Sequence, residues 1–325
     1  MSLCPLPFQT PDEYPISVAW LMVLIDMMVL LDVANLQTAQ ALPEALSKRI
    51  GQGDATVSTA TPVRKLKETV VPEAEFSDSS CELGNFEALR RSLDHSGYLF
   101  LRSVLNRERL LRVRQEILEL CREHGWLDSC APLLDGVYSG VPFPDYNREY
   151  MPMYRMLLRL ESFNRLARTS ELMDLFANLL QGKVLCHPRV IARVSFPMNY
   201  AFTTQPHQDF HYIRGTTETY TAWIPAGDCP HELGGLALAE GSHRLGYLPH
   251  DPAVGAGGRG IQTSKLKVRW LAADFRQGDV LIFHSHTIHG ALENHSPDRL
   301  RLSLDYRYQL AANEIHPDSL KPHGG

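Results

Sequence analysis

The segment Gln205-Pro206-His207-Gln208-Asp209-Phe210-His211-Tyr212 places an imidazole and a carboxylate two residues apart. On an extended backbone such residues share a face, so His207 and Asp209 can point together into the mouth of a barrel. Two histidines and one carboxylate on one face of a metal leave three positions open, which suits a non-haem iron that takes oxygen and a chelating cosubstrate. A third ligand must come from elsewhere in the chain. About 80 residues downstream, a separation that several strands of ordinary length would fill, the segment Gly278 to Gly290 carries His284, His286 and His289. Alone, a His-x-Asp pair is a weak signal, because a lone histidine on a strand is more often a hydrogen-bonded structural residue. Arg299 and Arg301 strengthen it, since they follow His289 at a spacing that begins the next strand and share one face of it. A buried guanidinium meets the distal end of a dicarboxylate bidentately. The plainer reading of either arginine is a surface ion pair with Asp298 or Asp305.

The elements that must position these residues are mostly strands. After Lys183 the chain turns to short runs of β-branched, aromatic and alternating residues separated by Gly, Pro, Asn and Asp. These runs predict strands at Val190–Phe196, Thr219–Ile224, Leu236–Ala239, Val268–Leu271, Val280–Phe283 and Leu300–Tyr308. Such a series implies an antiparallel sandwich or barrel with helices packed outside it. Upstream, the pattern predicts a short helix through Leu89 and Leu93, a strand at Tyr98–Leu101, and a long helix opening at the cap Asn106. Leu110, Val113, Ile117 and Cys121 form the apolar stripe of that helix. A further helix starts at Ser170, repeats Leu172, Phe176 and Leu179 at helical spacing, and stops before Gly182.

A chain of 325 residues, 44% hydrophobic and 21% charged, can bury a full-sized core. A net charge of −5 and a pI near 6.3 give no electrostatic footprint for nucleic acid. Six scattered cysteines form neither a disulfide framework nor a zinc site, and read as reduced thiols of a cytoplasmic protein. The apolar stretch Ile16–Ala34 is interrupted by Asp26 and Asp32, which predicts a packed or self-associating helix rather than a membrane span. Between Gly51 and Pro62 the composition suits a linker. The expected organisation is an apolar helical segment with linker over residues 1–62, of unassigned role, and a catalytic domain over residues 63–325.

From about Leu83 to Gln309 the sequence resembles the phytanoyl-CoA dioxygenase family. The resemblance rests on Gly97-Tyr98-Leu99-Phe100-Leu101, His207-Gln208-Asp209-Phe210-His211-Tyr212, Thr221-Ala222-Trp223-Ile224-Pro225 and Gly234-Gly235-Leu236-Ala237-Leu238. It continues through Gly241-Ser242-His243-Arg244, Gly278-Asp279-Val280, His289-Gly290 and Arg301-Leu302-Ser303. It implies a mainly β protein with flanking helices around a double-stranded β-helix (jelly roll, cupin-like) core. The implied activity is that of a non-haem Fe(II)/2-oxoglutarate-dependent dioxygenase. Such an enzyme hydroxylates or otherwise oxidises a small organic molecule with O2, coupled to decarboxylation of 2-oxoglutarate to succinate.

By position, the resemblance implies His207, Asp209 and His289 as the metal ligands and Arg301 as the partner of the far carboxylate of 2-oxoglutarate. Arg299 is held in reserve, and Trp223 resembles the aromatic wall of the pocket. His289 is preferred because Gly290 follows it, which leaves His284 and His286 to orient the site or bind nothing. Ala291 departs from the family, which often has a small hydroxylated residue there. A carboxylate at Asp209 argues against halogenation, for which related enzymes carry a small residue. His211 and Tyr212 are expected either to line the substrate pocket or to support the ligands, and His243 to cap a turn. Arg189 and Arg193 are expected on a solvated strand face, with contact to a substrate carboxylate as the alternative. The non-enzymatic alternative is a metal-binding or scaffold protein that retains the fold.

Overall fold

A computed structural model describes residues 65–323. The expected segment 1–62, including Ile16–Ala34, lies outside the described residues.

The strand that ends the barrel explains most of the architecture. Over Arg301–Leu310 it alternates Arg, Ser, Asp, Arg and Gln with Leu, Leu, Tyr, Tyr and Leu, yet its first nine residues are all buried. A half-exposed strand would leave its polar face in water. Here the polar residues face inward, while Leu302, Leu304, Tyr306 and Tyr308 pack outward against helices. Those helices bury the expected stripes. Arg107–Glu123 is capped by Asn106, whose side chain accepts from the Arg109 N–H at 3.1 Å, and buries Leu110, Val113, Ile117 and Cys121. Ser170–Leu180 buries Leu172, Phe176 and Leu179, and Phe86–Ser96 buries Leu89 and Leu93. Each of these aliphatic and aromatic side chains contributes roughly 1.5–3 kcal/mol when removed from water.

The strands, in chain order, are β1 (Ala74–Glu75), β2 (Tyr98–Leu101), β3 (Val184–Cys186), β4 (Ile191–Ser195), β5 (Thr219–Pro225) and β6 (Leu236–Ala239). They continue as β7 (Asp251–Pro252), β8 (Arg259–Gly260), β9 (Trp270–Ala272), β10 (Val280–His284), β11 (His289–Ala291) and β12 (Arg301–Leu310). The larger sheet runs β2-β10-β5-β12-β3, and β4 also pairs with the first half of β12. The smaller runs β1-β9-β6-β11. A jelly-roll core lies between them, where Tyr98, Phe100, Trp223 and Phe283 of the larger sheet meet Leu236, Leu238 and Leu271 of the smaller.

The strand expected at 268–271 begins at Trp270, because its partner β6 ends at Ala239, which pairs with Trp270. The sequence pattern did not announce the short helices Met151–Leu157 and Glu161–Leu166, the π-helical turn Tyr146–Tyr150 that precedes them, or the short strands β1, β3, β7, β8 and β11.

Candidate metal centre

His207 and His289 lie on opposite backbones that exchange both hydrogen bonds, His207 N to His289 O at 2.9 Å and His289 N to His207 O at 3.0 Å. This ladder pair fixes the imidazoles 4.3 Å apart, centroid to centroid. Gly290 permits the approach, since a Cβ there would stand 3.2 Å from the Pro206 nitrogen.

Asp209 reaches the same point differently from the sequence expectation. It is not on an extended strand. Its backbone (φ −58°, ψ −32°) opens the helical turn Phe210–Ile213, and the chain swings the carboxylate round beside His207. Gln208, wholly buried between the two, anchors this turn. Its side-chain amide donates to the carbonyls of Gly246 (2.7 Å) and His286 (2.8 Å), and its side-chain oxygen accepts from the Leu248 N–H.

The ligand atoms of His207, Asp209 and His289 all lie within 4.8 Å of one another, and all three residues are buried. Nδ1 of His207 faces the Gln205 carbonyl at 2.9 Å, and Nδ1 of His289 faces the Thr287 carbonyl at 2.9 Å. A carbonyl only accepts, so each Nδ1 carries the proton and each Nε2 keeps its lone pair for a metal. Burial, the main cause, lowers both imidazole pKa values, and His289 lowers that of His207 further. Asp209 stays ionised. Burial opposes the charge but is outweighed by Arg307 and the two imidazoles, which hold the carboxyl well below the usual carboxylate range. Arg307 grips it bidentately, Nη2 to Oδ1 at 2.8 Å and Nε to Oδ2 at 3.2 Å, while Thr221 Oγ1 donates to Oδ2. Oδ1 thus keeps more free acceptor capacity than Oδ2, and it is the oxygen 3.9 Å from His207 Nε2.

Arg301, which lines the same cavity, is 4% exposed. Its Nη1 donates to Ser303 Oγ at 2.8 Å, but its Nε has no partner. Burial of this unpaired guanidinium lowers its pKa. Trp223, Leu236 and Phe283 line the same cavity. An unsatisfied buried cation costs several kcal/mol unless a ligand completes it. The donor set therefore fits a divalent iron at the triad and a dicarboxylate reaching back to Arg301.

Other expectations separate here. Arg299 lies outside the cavity, half-exposed, its Nε 3.8 Å from Asp298. Its backbone N–H is held by Ser296 Oγ in the turn before β12, so it never joins the strand face that carries Arg301. His284 turns to Glu218 at 3.6 Å, and His286 packs edge-on to Phe210. His211 stacks with centroids 4.1 Å apart on His250, whose Nε2 accepts from the Gln208 N–H between the two ligands, so it touches the ligand turn only at one remove, whereas Tyr212 stands edge-on to His207. His243 lies in the 3-10 turn Ser242–Leu245, its Nε2 3.0 Å from the Asp94 carbonyl. Arg193 corrects the solvated-face expectation. Ala192 and Val194 face the helices, so Arg193 points inward, lines the cavity and pairs with Asp305 at 3.1 Å. Arg307, Thr221, Gln208 and Asp305 were not singled out as functional from sequence. For Arg307 and Asp305 the signal was available in the polar alternation of β12.

Beside the metal cavity, and sharing Arg193, Thr204, Ala291 and Arg301 with it, opens a chamber walled by Tyr146, Tyr150, Phe196 and Phe202.

A double-stranded β-helix with two imidazoles, a carboxylate and a buried arginine that has no acidic partner defines the non-haem Fe(II)/2-oxoglutarate-dependent oxygenases as the class. The sequence model of the family described as phytanoyl-CoA dioxygenase (PhyH) matches residues 93–302, and the chain belongs to that family. It is thus an Fe(II)/2-oxoglutarate-dependent oxygenase that uses O2. Among curated relatives, it is 28% identical over 273 residues to the 1-deoxypentalenic acid 11-beta-hydroxylase of Streptomyces exfoliatus, covering 77% of this chain and 90% of that protein. It is 24% identical over 282 residues to the peroxisomal phytanoyl-CoA dioxygenase of Mus musculus, covering 80% and 79%. Among solved structures, the epimerase SnoN in complex with Fe3+, alpha ketoglutarate and nogalamycin RO shares the fold with a TM-score of 0.52. It is 20% identical, over 72% of this chain and 87% of that one. Among the described residues no helix is long and apolar enough to cross a membrane.

Proposed function

We propose that His207, Asp209 and His289 hold the iron, that Arg301 with Ser303 binds the distal carboxylate of 2-oxoglutarate against Trp223, and that the substrate is a small organic molecule of specialised metabolism. The observation that carries this reading is that both imidazoles turn Nδ1 to a backbone carbonyl, which leaves two Nε2 lone pairs beside a carboxylate that Arg307 holds ionised. The orphaned Nε of Arg301 supports the second assignment. Likeness to a hydroxylase of 1-deoxypentalenic acid supports the substrate class and hydroxylation as the outcome. A cytoplasmic setting is part of the same reading, supported by five free cysteines among the described residues.

When bound, the iron supplies oxygen activation coupled to decarboxylation of 2-oxoglutarate. The chain's own part is to orient and to keep dry. Arg307 and Thr221 fix the carboxylate, the Gln205 and Thr287 carbonyls fix the imidazoles, and Leu236 and Phe283 exclude water. The test is anaerobic titration of the full chain with Fe(II) and 2-oxoglutarate, watching for the weak visible charge-transfer band of the chelate. The band should appear in the wild type and vanish in His289→Ala. Its absence from the wild type would point instead to a scaffold that has kept the fold.

A further inference from the structure

Resting on that oxygenase reading, we propose that Arg193 is the counter-ion for a carboxylate on the substrate, so that the enzyme selects an apolar molecule carrying a single negative charge. Arg193 stands where the metal cavity meets the aromatic chamber and lines both. Its pairing is incomplete. Nε donates to Asp305 Oδ2 at 3.1 Å and Nη1 to Thr204 Oγ1 at 3.3 Å, whereas Nη2 makes no hydrogen bond. A guanidinium has five N–H donors in a planar fork, so the edge on the Nη2 side remains for a carboxylate.

Charge balance gives a second, independent argument. Around the site stand Arg193, Arg301 and Arg307 against Asp209 and Asp305, leaving one positive charge. Fe(II) and the 2-oxoglutarate dianion cancel each other, so a fully loaded site still lacks one anion. Arg307 is satisfied by Asp209, and Arg301 by the cosubstrate. Arg193 shares Asp305 but keeps a free donor edge, so it is the cation of the three placed to meet the missing anion. The Arg193 side chain is 27% accessible, so its charge becomes costly only when a substrate body covers it, and an anionic substrate relieves that cost where a neutral one does not.

The chamber sets the rest of the molecule. Its charged lining consists of Arg193 and Arg301 alone, with Tyr146, Tyr150, Phe196 and Phe202 forming the wall. Tyr146 stacks on Tyr150 at an interplanar angle of 13° and on Phe202 at 24°, and Phe196 meets Tyr150 edge-on. Such walls take an apolar body. With no further cation they do not match the several phosphates of a nucleotide-bearing thioester. The compact monocarboxylate is the occupant that fits both the walls and the charge.

The test is equilibrium dialysis of the full chain, loaded anaerobically with Fe(II) and 2-oxoglutarate, against a panel of apolar cyclic and linear monocarboxylic acids, each paired with its methyl ester. At least one acid should bind about tenfold or more tightly than its ester, the range expected for a hydrogen-bonded charge. The preference should fall to within about twofold in Arg193→Gln and survive, weakened, in Arg193→Lys. Because Arg193→Gln leaves Asp305 unpaired, the double variant Arg193→Gln/Asp305→Asn repeats the measurement with the local charge balanced. A panel in which no acid binds more tightly than its own ester, or a preference that persists in both glutamine variants, overturns the proposal. The Fe(II)/2-oxoglutarate band is read in the same samples. Its loss in the wild type would strike the oxygenase reading, whereas a normal band without acid preference strikes this inference alone.

Discussion

The metal end of the cavity and the chamber beside it are built on different principles. At the metal end every ligand is over-determined by polar contacts. His207 and His289 are tied to each other through the backbone and to carbonyls through Nδ1, and Asp209 takes hydrogen bonds from both Arg307 and Thr221. In the chamber the wall is held by rings packed on rings, contributed partly by the π-helical turn Tyr146–Tyr150, which lies outside the sheets. Charge-assisted networks fix geometry to a fraction of an ångström at the cost of burying ions. Stacked rings tolerate replacement at modest cost. Chemistry that must not vary therefore sits on the first, and selection among substrates on the second.

If that contrast holds, the most damaging change short of the ligands themselves is Arg307→Met. It leaves Asp209 buried without its cation, and breaking a buried pair from one side costs about 3–5 kcal/mol. Urea unfolding of the metal-free protein should show a loss of this size, and iron affinity should fall by about 10–100-fold, as for other groups that orient a ligand. An unchanged midpoint with unchanged iron binding would show that Arg307 is a bystander and that the metal end is not over-determined.

A sharper test leaves all charges in place. Gln208→Met preserves volume but removes the side chain that ties the ligand turn to Gly246, Leu248 and His286. Each stranded buried partner costs about 1–3 kcal/mol. Stability should therefore drop, while iron affinity falls by at most about tenfold, since neither ligand loses its own hydrogen bonds. Equal losses of iron affinity in Gln208→Met and Arg307→Met would erase the distinction between holding the turn and holding the carboxylate.

The same division governs what was legible in the sequence. The helix capped by Asn106, the strand at Tyr98–Leu101 and the stripes through Leu110 and Leu172 follow from local rules of capping and periodicity, and the structure carries them. His207 and Asp209 could be picked out because metal chemistry accepts few residue types, whereas the choice of His289 over His284 and His286 rested on the family resemblance, through Gly290 after it. The route to Asp209 was hidden. A helical turn at Phe210–Ile213 and an extended strand both bring residue 209 beside residue 207, so spacing alone could not separate them. Arg193 was hidden for another reason. Its face is set by which neighbours meet the helices, and Ala192 and Val194 carry too little hydrophobic contrast to announce that outward side. On β12, by contrast, Leu302, Leu304, Tyr306 and Tyr308 declare the outward face plainly. Arg307 opposite them could have been inferred as interior, and Arg299 set aside as lying before the strand. The tyrosines and phenylalanines of the chamber gave no signal, because their meeting depends on loops whose course no periodicity encodes.

The chamber also supplies the smallest expected effect. Phe202 is 47% exposed at the rim and touches Tyr146 through one ring face. Phe202→Ala leaves no closed void, so the large cost of a core truncation does not apply. Thermal unfolding should shift by what an ordinary surface substitution gives, within about 0.5–1 kcal/mol. The Fe(II)/2-oxoglutarate band should be unchanged, because no ligand, nor any residue that holds one, is disturbed. What should move is the binding of whichever carboxylic acid the wild type retains. Loss of one stacking ring, worth about 0.5–1.5 kcal/mol beyond its area, predicts several-fold weaker binding of acid and ester alike, with their ratio preserved. A change in that ratio would mean that the wall and the cation act as one unit. A weakened iron band would mean that chamber and metal centre are not separable parts of the site.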